Sequence, residues 1–233
     1  MDPVPTAVRF TTGDALRGAR LALPIAASAG VYGAVFGVLA RGKGLALAEA
    51  AGMSAVVFAG AAQFVVLELW AHPLPALSIV LATLLVNARF VLYGAALAPW
   101  FGRLSPGQAY GSALVMADES WALAVQDLRT GGGRGALMLG SGLALYAGWV
   151  GGTVAGFLAG GLVAEPERWG LDFVFVAVFV ALLAGLWRGR ADVLPWGVAA
   201  VVAVAAERLV PGAWYILLGG VAGSVAGALR RGD

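Results

Sequence analysis

A chain of 233 residues that is 61% hydrophobic and only 12% charged, with mean hydropathy +0.87, carries more apolar surface than a soluble fold can hide, since soluble domains run at ~45–50% apolar. Its net charge of +2, spread over short loops, leaves no footprint for nucleic acid. With no cysteine and one histidine, disulfides, thiolate nucleophiles and thiolate or imidazole metal cages are excluded, and no metal or cofactor is expected.

Eight hydrophobic segments follow in chain order, at 21–40, 45–69, 76–97, 109–125, 136–162, 171–187, 195–206 and 215–229. Several reach the ~20 residues needed to cross a hydrocarbon core. The expected fold is an all-α integral membrane bundle of seven or eight transmembrane helices, some short or broken, forming one domain over 1–233 with residues 1–20 as a cytoplasmic N-terminal segment. The first apolar run resembles a signal peptide, but it is long and lacks an A-x-A site, which marks it as a retained helix. The last two segments are short enough to be tilted spans, half-helices or a re-entrant pair.

If all eight segments cross, the side holding the N-terminus carries nine Lys/Arg (Arg9, Arg17, Arg20, Arg129, Arg134, Arg188, Arg190, Arg230, Arg231) and the other carries five (Arg41, Lys43, Arg103, Arg168, Arg208). The positive-inside rule then places both termini in the cytoplasm of a multi-pass cell-membrane protein, with Arg41 and Lys43 on the unfavoured side. Trp70, Trp100, Trp169, Trp187, Trp196 and Trp214 fall near predicted span ends, where an indole can bridge acyl chains and headgroups.

The second segment contains Gln63, an amide that needs a partner because lipid offers none. Gly52, Val56, Ala59 and Gln63 share a face in a regular helix, and either substrate binding or an interhelical hydrogen bond accounts for the amide. The third segment is interrupted by Asn87-Ala88-Arg89 after ten uncharged, mostly apolar residues. Asn87 and Arg89 would point about 200° apart in a regular helix, so the helix must deform there for both to face one cavity. In the fourth, Asp118 and Glu119 lie among apolar residues, and Ser112, Glu119 and Gln126 form a polar stripe at a spacing of seven. Adjacent carboxylates in low dielectric resist double ionisation, so one is protonated or paired with Arg89. An ion pair without a transport role is the competing reading. Glu49, Glu68, Asp172, Glu207 and Arg208 read as interfacial, and His72 as a passive loop residue.

The fifth segment carries Gly140, Ala144, Gly148, Gly152, Gly156 and Gly160 on one face, a bare groove into which another helix should fit. Gly219, Gly223 and Gly227 repeat the device in the last segment, and Gly33 and Gly37 in the first. A shift of about 118 residues aligns Gly30, Gly33, Gly42, Glu49 and Gly52 with Gly148, Gly151, Gly160, Glu167 and Gly170. This hints at an internal repeat, parallel for an even number of spans per half and inverted for an odd number.

Four stretches carry a resemblance: GAAQF at 60–64, NARFVLYG at 87–94, ADESW at 117–121 and, more weakly, GLDF at 170–173. Through them the chain resembles the AzlC-type branched-chain amino acid export permeases, the large subunit of a two-component transporter. The family's glutamine falls on Gln63, its asparagine–alanine–arginine motif on Asn87 and Arg89, and its acidic pair on Asp118 and Glu119; Phe90 departs from the family's frequent histidine. The resemblance implies export of branched-chain or other hydrophobic amino acids together with a small AzlD-type membrane subunit. Gln63, Asn87 and Arg89 are then candidates for substrate binding. Asp118 and Glu119 are candidates for proton coupling, since no nucleotide-binding motif is present. A passive channel or pore for small polar solutes is the alternative, separable by flux with and without an imposed pH difference. No catalytic motif appears, so an enzyme is not expected.

Overall fold

The computed structural model describes residues 8–161, 180, 184, 187, 189–210 and 214–230, and every named element among them is helical. The segment at 171–187 falls almost wholly outside them, as do Trp169, Glu167 and the GLDF stretch. The helices are α1 (Thr12–Gly42), α2 (Leu47–Val57), α3 (Gly60–Glu68), α4 (Ala76–Asn87), α5 (Arg89–Phe101), α6 (Pro106–Leu114), α7 (Asp118–Arg129), α8 (Leu137–Ala159), α9 (Val193–Leu209) and α10 (Trp214–Arg230). A single 3-10 turn, Arg190–Asp192, precedes α9. Among the described residues, three spans meet the length and hydropathy of a membrane crossing: Thr12–Gly42, Ala76–Phe101 and Leu137–Ala159.

The first helix starts nine residues before its hydrophobic run, so residues 12–20, expected in a segment outside the first span, are its first turns. The reason is a cap that hydropathy does not register. Asp14 donates its backbone N–H to Thr11 Oγ1 at 3.1 Å, and Thr11 Oγ1 donates to Asp14 Oδ2 at 2.7 Å. Segments two, three and four are each split into two helices. Phe58, in the left-handed region with φ 42° and ψ 44°, separates α2 from α3. Ala88 interrupts α4–α5, and residues 115–117 leave the helix between α6 and α7. Two faces read from regular periodicity are therefore corrected. Gly52 and Val56 do not share a continuous face with Gln63, and Ser112, which is buried, is not in one stripe with the exposed Glu119 and Gln126.

The chain forms two compact units, Met1–Gln63 with Ala88–Ala164, and Phe64–Asn87 with Glu165–Asp233. In the first, α1 and α8 run side by side and parallel. A Cβ on Gly148, Gly152 or Gly156 would fall on the carbonyl oxygen of Ala26, Gly30 or Ala34, and one on Gly33 or Gly37 would meet the backbone of Trp149 or Thr153. Gly160 continues the line, where a Cβ would lie 3.3 Å from Val38 Cα. Small residues on both helices thus admit backbone-to-backbone contact, the form of packing that substitutes for a hydrophobic driving force in lipid. Parallel α1 and α8, if both cross the membrane, require an odd number of crossings between them. A Cβ on Gly30 would lie 3.4 Å from the carbonyl oxygen of Gly148, its match under the shift.

Arg41, anomalous by the charge rule, has a structural partner. Its Nη1 donates to the Phe157 carbonyl at 3.3 Å, and its guanidinium lies 5.5 Å from the Phe157 ring centroid, at the C-terminal end of α8. Trp100 is not an interfacial anchor but is buried with Leu97, Ala124 and Met138. In the second unit α9 and α10 form an antiparallel pair, and a Cβ on Gly219 or Gly223 would lie 2.8 Å from the Cβ of Ala203 or Ala199. Val65, Leu69 and Ala82 form that unit's buried cluster, covered by Ile79, Val86 and Ile216.

Candidate functional site

The helix interruptions in the first unit bring polar groups to adjacent levels of α8. Phe58 and Ala117, from two of the breaks, pack on the same small cluster of Ala22, Ala26 and Leu145. A bulky residue at positive φ is uncommon. Here the Phe58 ring is held edge-on to Tyr146, with centroids 5.1 Å apart, and the Tyr146 hydroxyl donates to the Ala55 carbonyl at 3.0 Å, which the break leaves without its helical donor.

One turn further along α8 lies a closed polar network around Gln63, which is wholly buried. Its Nε2 donates to Ser54 Oγ at 3.0 Å, and its Oε1 accepts from Trp149 Nε1 at 3.1 Å. Ser54 Oγ and Thr153 Oγ1 are 2.8 Å apart, and Thr153 Oγ1 donates to the Trp149 carbonyl at 2.9 Å. Gly60 belongs to the same motif because a Cβ there would lie 2.8 Å from the Trp149 ring. In this conformation the Gln63 amide ties α2–α3 to α8, and substrate contact would require the network to open. Ser54→Ala is expected to cost about 1–3 kcal/mol by leaving buried donors unpaired, read as a lower unfolding temperature of the purified protein.

The second polar group is open. Arg89, at the start of α5, places Nη2 3.2 Å from Asp118 Oδ2, at the start of α7, with 31% and 42% of the two side chains exposed. The pair therefore faces an accessible space. Not all of the bonding capacity around it is used: Arg89 Nε, Asp118 Oδ1 and Trp121 Nε1 are buried atoms that have no hydrogen-bond partner among the described residues. Buried polar atoms are normally satisfied, so such a group of orphans marks a place where a polar ligand or water belongs. Aromatic rings wall the pair. Arg89 lies 5.4 Å from the Phe90 centroid, Phe90 meets Tyr93 edge-on at 5.7 Å, and Tyr93 stacks on Trp121 at 4.4 Å. Below them Leu97, Trp100, Ala124 and Met138 fix α5, α7 and α8 together.

Glu119 is exposed beside Asp118 in the first turn of α7. Ala117 offers no side-chain cap, and the first-turn amides and the helix dipole favour negative charge at this end. Asn87 ends α4 in the other unit, and its Oδ1 is likewise buried without a partner among the described residues. Among the described residues, no three His, Asp or Glu are grouped so as to hold a metal ion.

Sequence reasoning did not single out Tyr93, Trp121, Trp149, Ser54 or Thr153. Two of these had a signal: Trp121 and Trp149 stand inside apolar segments rather than at their ends, where an indole N–H needs a partner.

Against known proteins, the family model described as "AzlC protein" matches residues 24–163, a stretch that holds both polar groups. The chain belongs to the AzlC family. An uncharacterized membrane protein of Archaeoglobus fulgidus is 34% identical over 157 residues, covering 66% of this chain and 68% of its own. Two uncharacterized membrane proteins of Helicobacter pylori are 29% identical over 65% of this chain and 66% of theirs, and 26% identical over 81% and 82%. No solved structure matches. AzlC membership and the apolar helices place this chain in a membrane and point to a membrane transport role.

Proposed function

We propose that this AzlC-family chain exports branched-chain or other hydrophobic amino acids across the cell membrane, driven by an ion gradient and working with a small AzlD-type membrane subunit. The carrying observation is the half-exposed Arg89–Asp118 pair with its orphaned Arg89 Nε, Asp118 Oδ1 and Trp121 Nε1. An amino acid zwitterion has the complementary chemistry. Its carboxylate suits the Arg89 fork or the uncapped amides of α7, its ammonium suits Asp118 or Glu119, and its aliphatic side chain suits the ring of Phe90, Tyr93 and Trp121. Substrate entering between Arg89 and Asp118 would exchange one ion pair for two, so occupancy and release shift charge at the breaks between α4 and α5 and between α6 and α7.

Proton antiport through Asp118 or Glu119 is the proposed coupling, because two adjacent carboxylates facing one arginine can hold one proton more or less as substrate comes and goes. Gln63 acts in this scheme by linking α3 to α8. Both termini are proposed to be cytoplasmic. The test is efflux of valine, leucine and isoleucine from cells expressing the chain with and without its small partner. Export above background only when both are present supports the reading, and unchanged efflux in both cases contradicts it.

A further inference from the structure

At the N-terminal end of the first unit's long helix pair, an open pocket of about 650 Å³ is lined by Arg9, Gly13, Asp14, Leu16, Arg17, Arg20, Leu21 and Arg134. Gly13, Leu16, Arg17, Arg20 and Leu21 follow the i, i+3, i+4, i+7, i+8 pattern of a single face of α1. That face is turned away from α8, which holds the other side through Gly18, Ala22 and Ala26. Four arginines line the pocket. Arg134 is neutralised by Asp127, to whose Oδ1 its Nη1 is paired while its backbone N donates to Oδ2 at 3.0 Å. Arg9, Arg17 and Arg20 are exposed and form no ion pair among the described residues. Counting Asp14, which is buried at the back and bonded to Thr11, the four arginines face two carboxylates and leave two positive charges.

The pocket is built rather than incidental. Arg9 donates its backbone N–H to the Gly133 carbonyl at 2.9 Å, forming an isolated bridge with Arg134 that fixes the arm before α1 against the turn between α7 and α8. The neighbouring exposure matters equally. Leu16, Leu21, Leu23 and Val31 are exposed along α1 from the pocket onward, so basic groups give way to lipid-facing apolar ones within about two helical turns, ~11 Å. That is the height over which a phospholipid changes from phosphate to acyl chain.

We propose that this pocket binds the phosphate headgroup of an anionic phospholipid, with Arg9, Arg17 and Arg20 on the phosphate and Leu21 and Leu23 beside the acyl chains. Free phosphate shares the headgroup's chemistry but would gain nothing from the exposed leucines. Basic pockets at membrane helix ends hold anionic headgroups in this manner, at roughly a fivefold gain in binding for each basic residue near the surface.

The test uses the full chain in detergent micelles, titrated with phosphatidylglycerol or phosphatidylcholine while the thermal unfolding midpoint is followed. Wild type is expected to be stabilised by phosphatidylglycerol and not by phosphatidylcholine. Arg17→Gln with Arg20→Gln should need about 25-fold more phosphatidylglycerol for the same shift, while Arg208→Gln, which removes one charge elsewhere, should behave as wild type. Should the double variant fail to fold, Arg20→Gln alone is expected to show about a fivefold change. An equal response to both lipids, an unchanged response in the arginine variants, or the full shift from inorganic phosphate alone would overturn the assignment.

Discussion

Asp118→Asn is expected to lower coupled export on the order of a hundredfold, the scale at which removing a proton-transfer group acts, while leaving membrane insertion intact. Asparagine keeps the size of the side chain and can still accept from Arg89 Nη2, so α5 and α7 should stay in place. What it cannot do is carry a negative charge to an ammonium group or take up and release a proton. Arg89 would also lose its counter-charge at a point where its Nε already has no partner among the described residues. The measurement is export rate at several external pH values in cells or proteoliposomes, beside a count of correctly folded protein by size-exclusion profile. Glu119→Gln, altering an exposed side chain in the same helical turn, tells which carboxylate couples. If both variants export at the wild-type rate with the wild-type pH dependence, this pair has no coupling role.

Gly152→Leu is expected to be the most damaging structural change, because the Cβ alone would fall on the Gly30 carbonyl oxygen. Overpacking a side-chain core costs about 1–3 kcal/mol because side chains can rearrange. Here the obstacle is backbone, and the parallel α1–α8 pair would have to separate along its length. The expected result is loss of the monodisperse folded species at normal expression, with a drop in unfolding temperature well beyond that of Ser54→Ala. A Gly151→Leu control should be mild, since a Cβ there meets nothing within 4 Å. A Gly152→Leu protein that purifies normally but exports poorly would instead move this face from packing to the substrate path.

Hydropathy made the membrane class and most segment positions readable, and the glycine spacing announced that a helix lies along 140–160. It could not say which helix, because the partner's credentials, Ala26, Gly30 and Ala34, are as common in a chain with 35 glycines as anywhere else. Of the three breaks, only that at Ala88 was foreseen, since Asn87 and Arg89 disturb an apolar run. The break at Phe58 had no local signal, as a phenylalanine at positive φ is held by tertiary contact with Tyr146 and not by propensity. Residues 115–117 contain neither glycine nor proline, so the polar stripe through Ser112 and Glu119 looked continuous. The Arg89–Asp118 pairing was open as a possibility because a buried arginine needs an acid. An interhelical hydrogen bond from Gln63 was open in the same way, but its partners were not legible, because Ser54, Trp149 and Thr153 come from two segments up to 90 residues away in sequence.

The most direct test of substrate recognition at the pair is the efflux of labelled leucine by Arg89→Lys across a range of internal concentrations. Lysine keeps the positive charge for Asp118 but loses the planar fork that holds a carboxylate through two parallel hydrogen bonds. Expression and unfolding temperature should stay close to wild type, while efflux at sub-saturating leucine falls about tenfold, the value of one lost charge-assisted hydrogen bond at roughly 1.5 kcal/mol. Efflux matching wild type at every concentration would contradict carboxylate recognition by Arg89 and leave its contact with Asp118 as a purely structural ion pair.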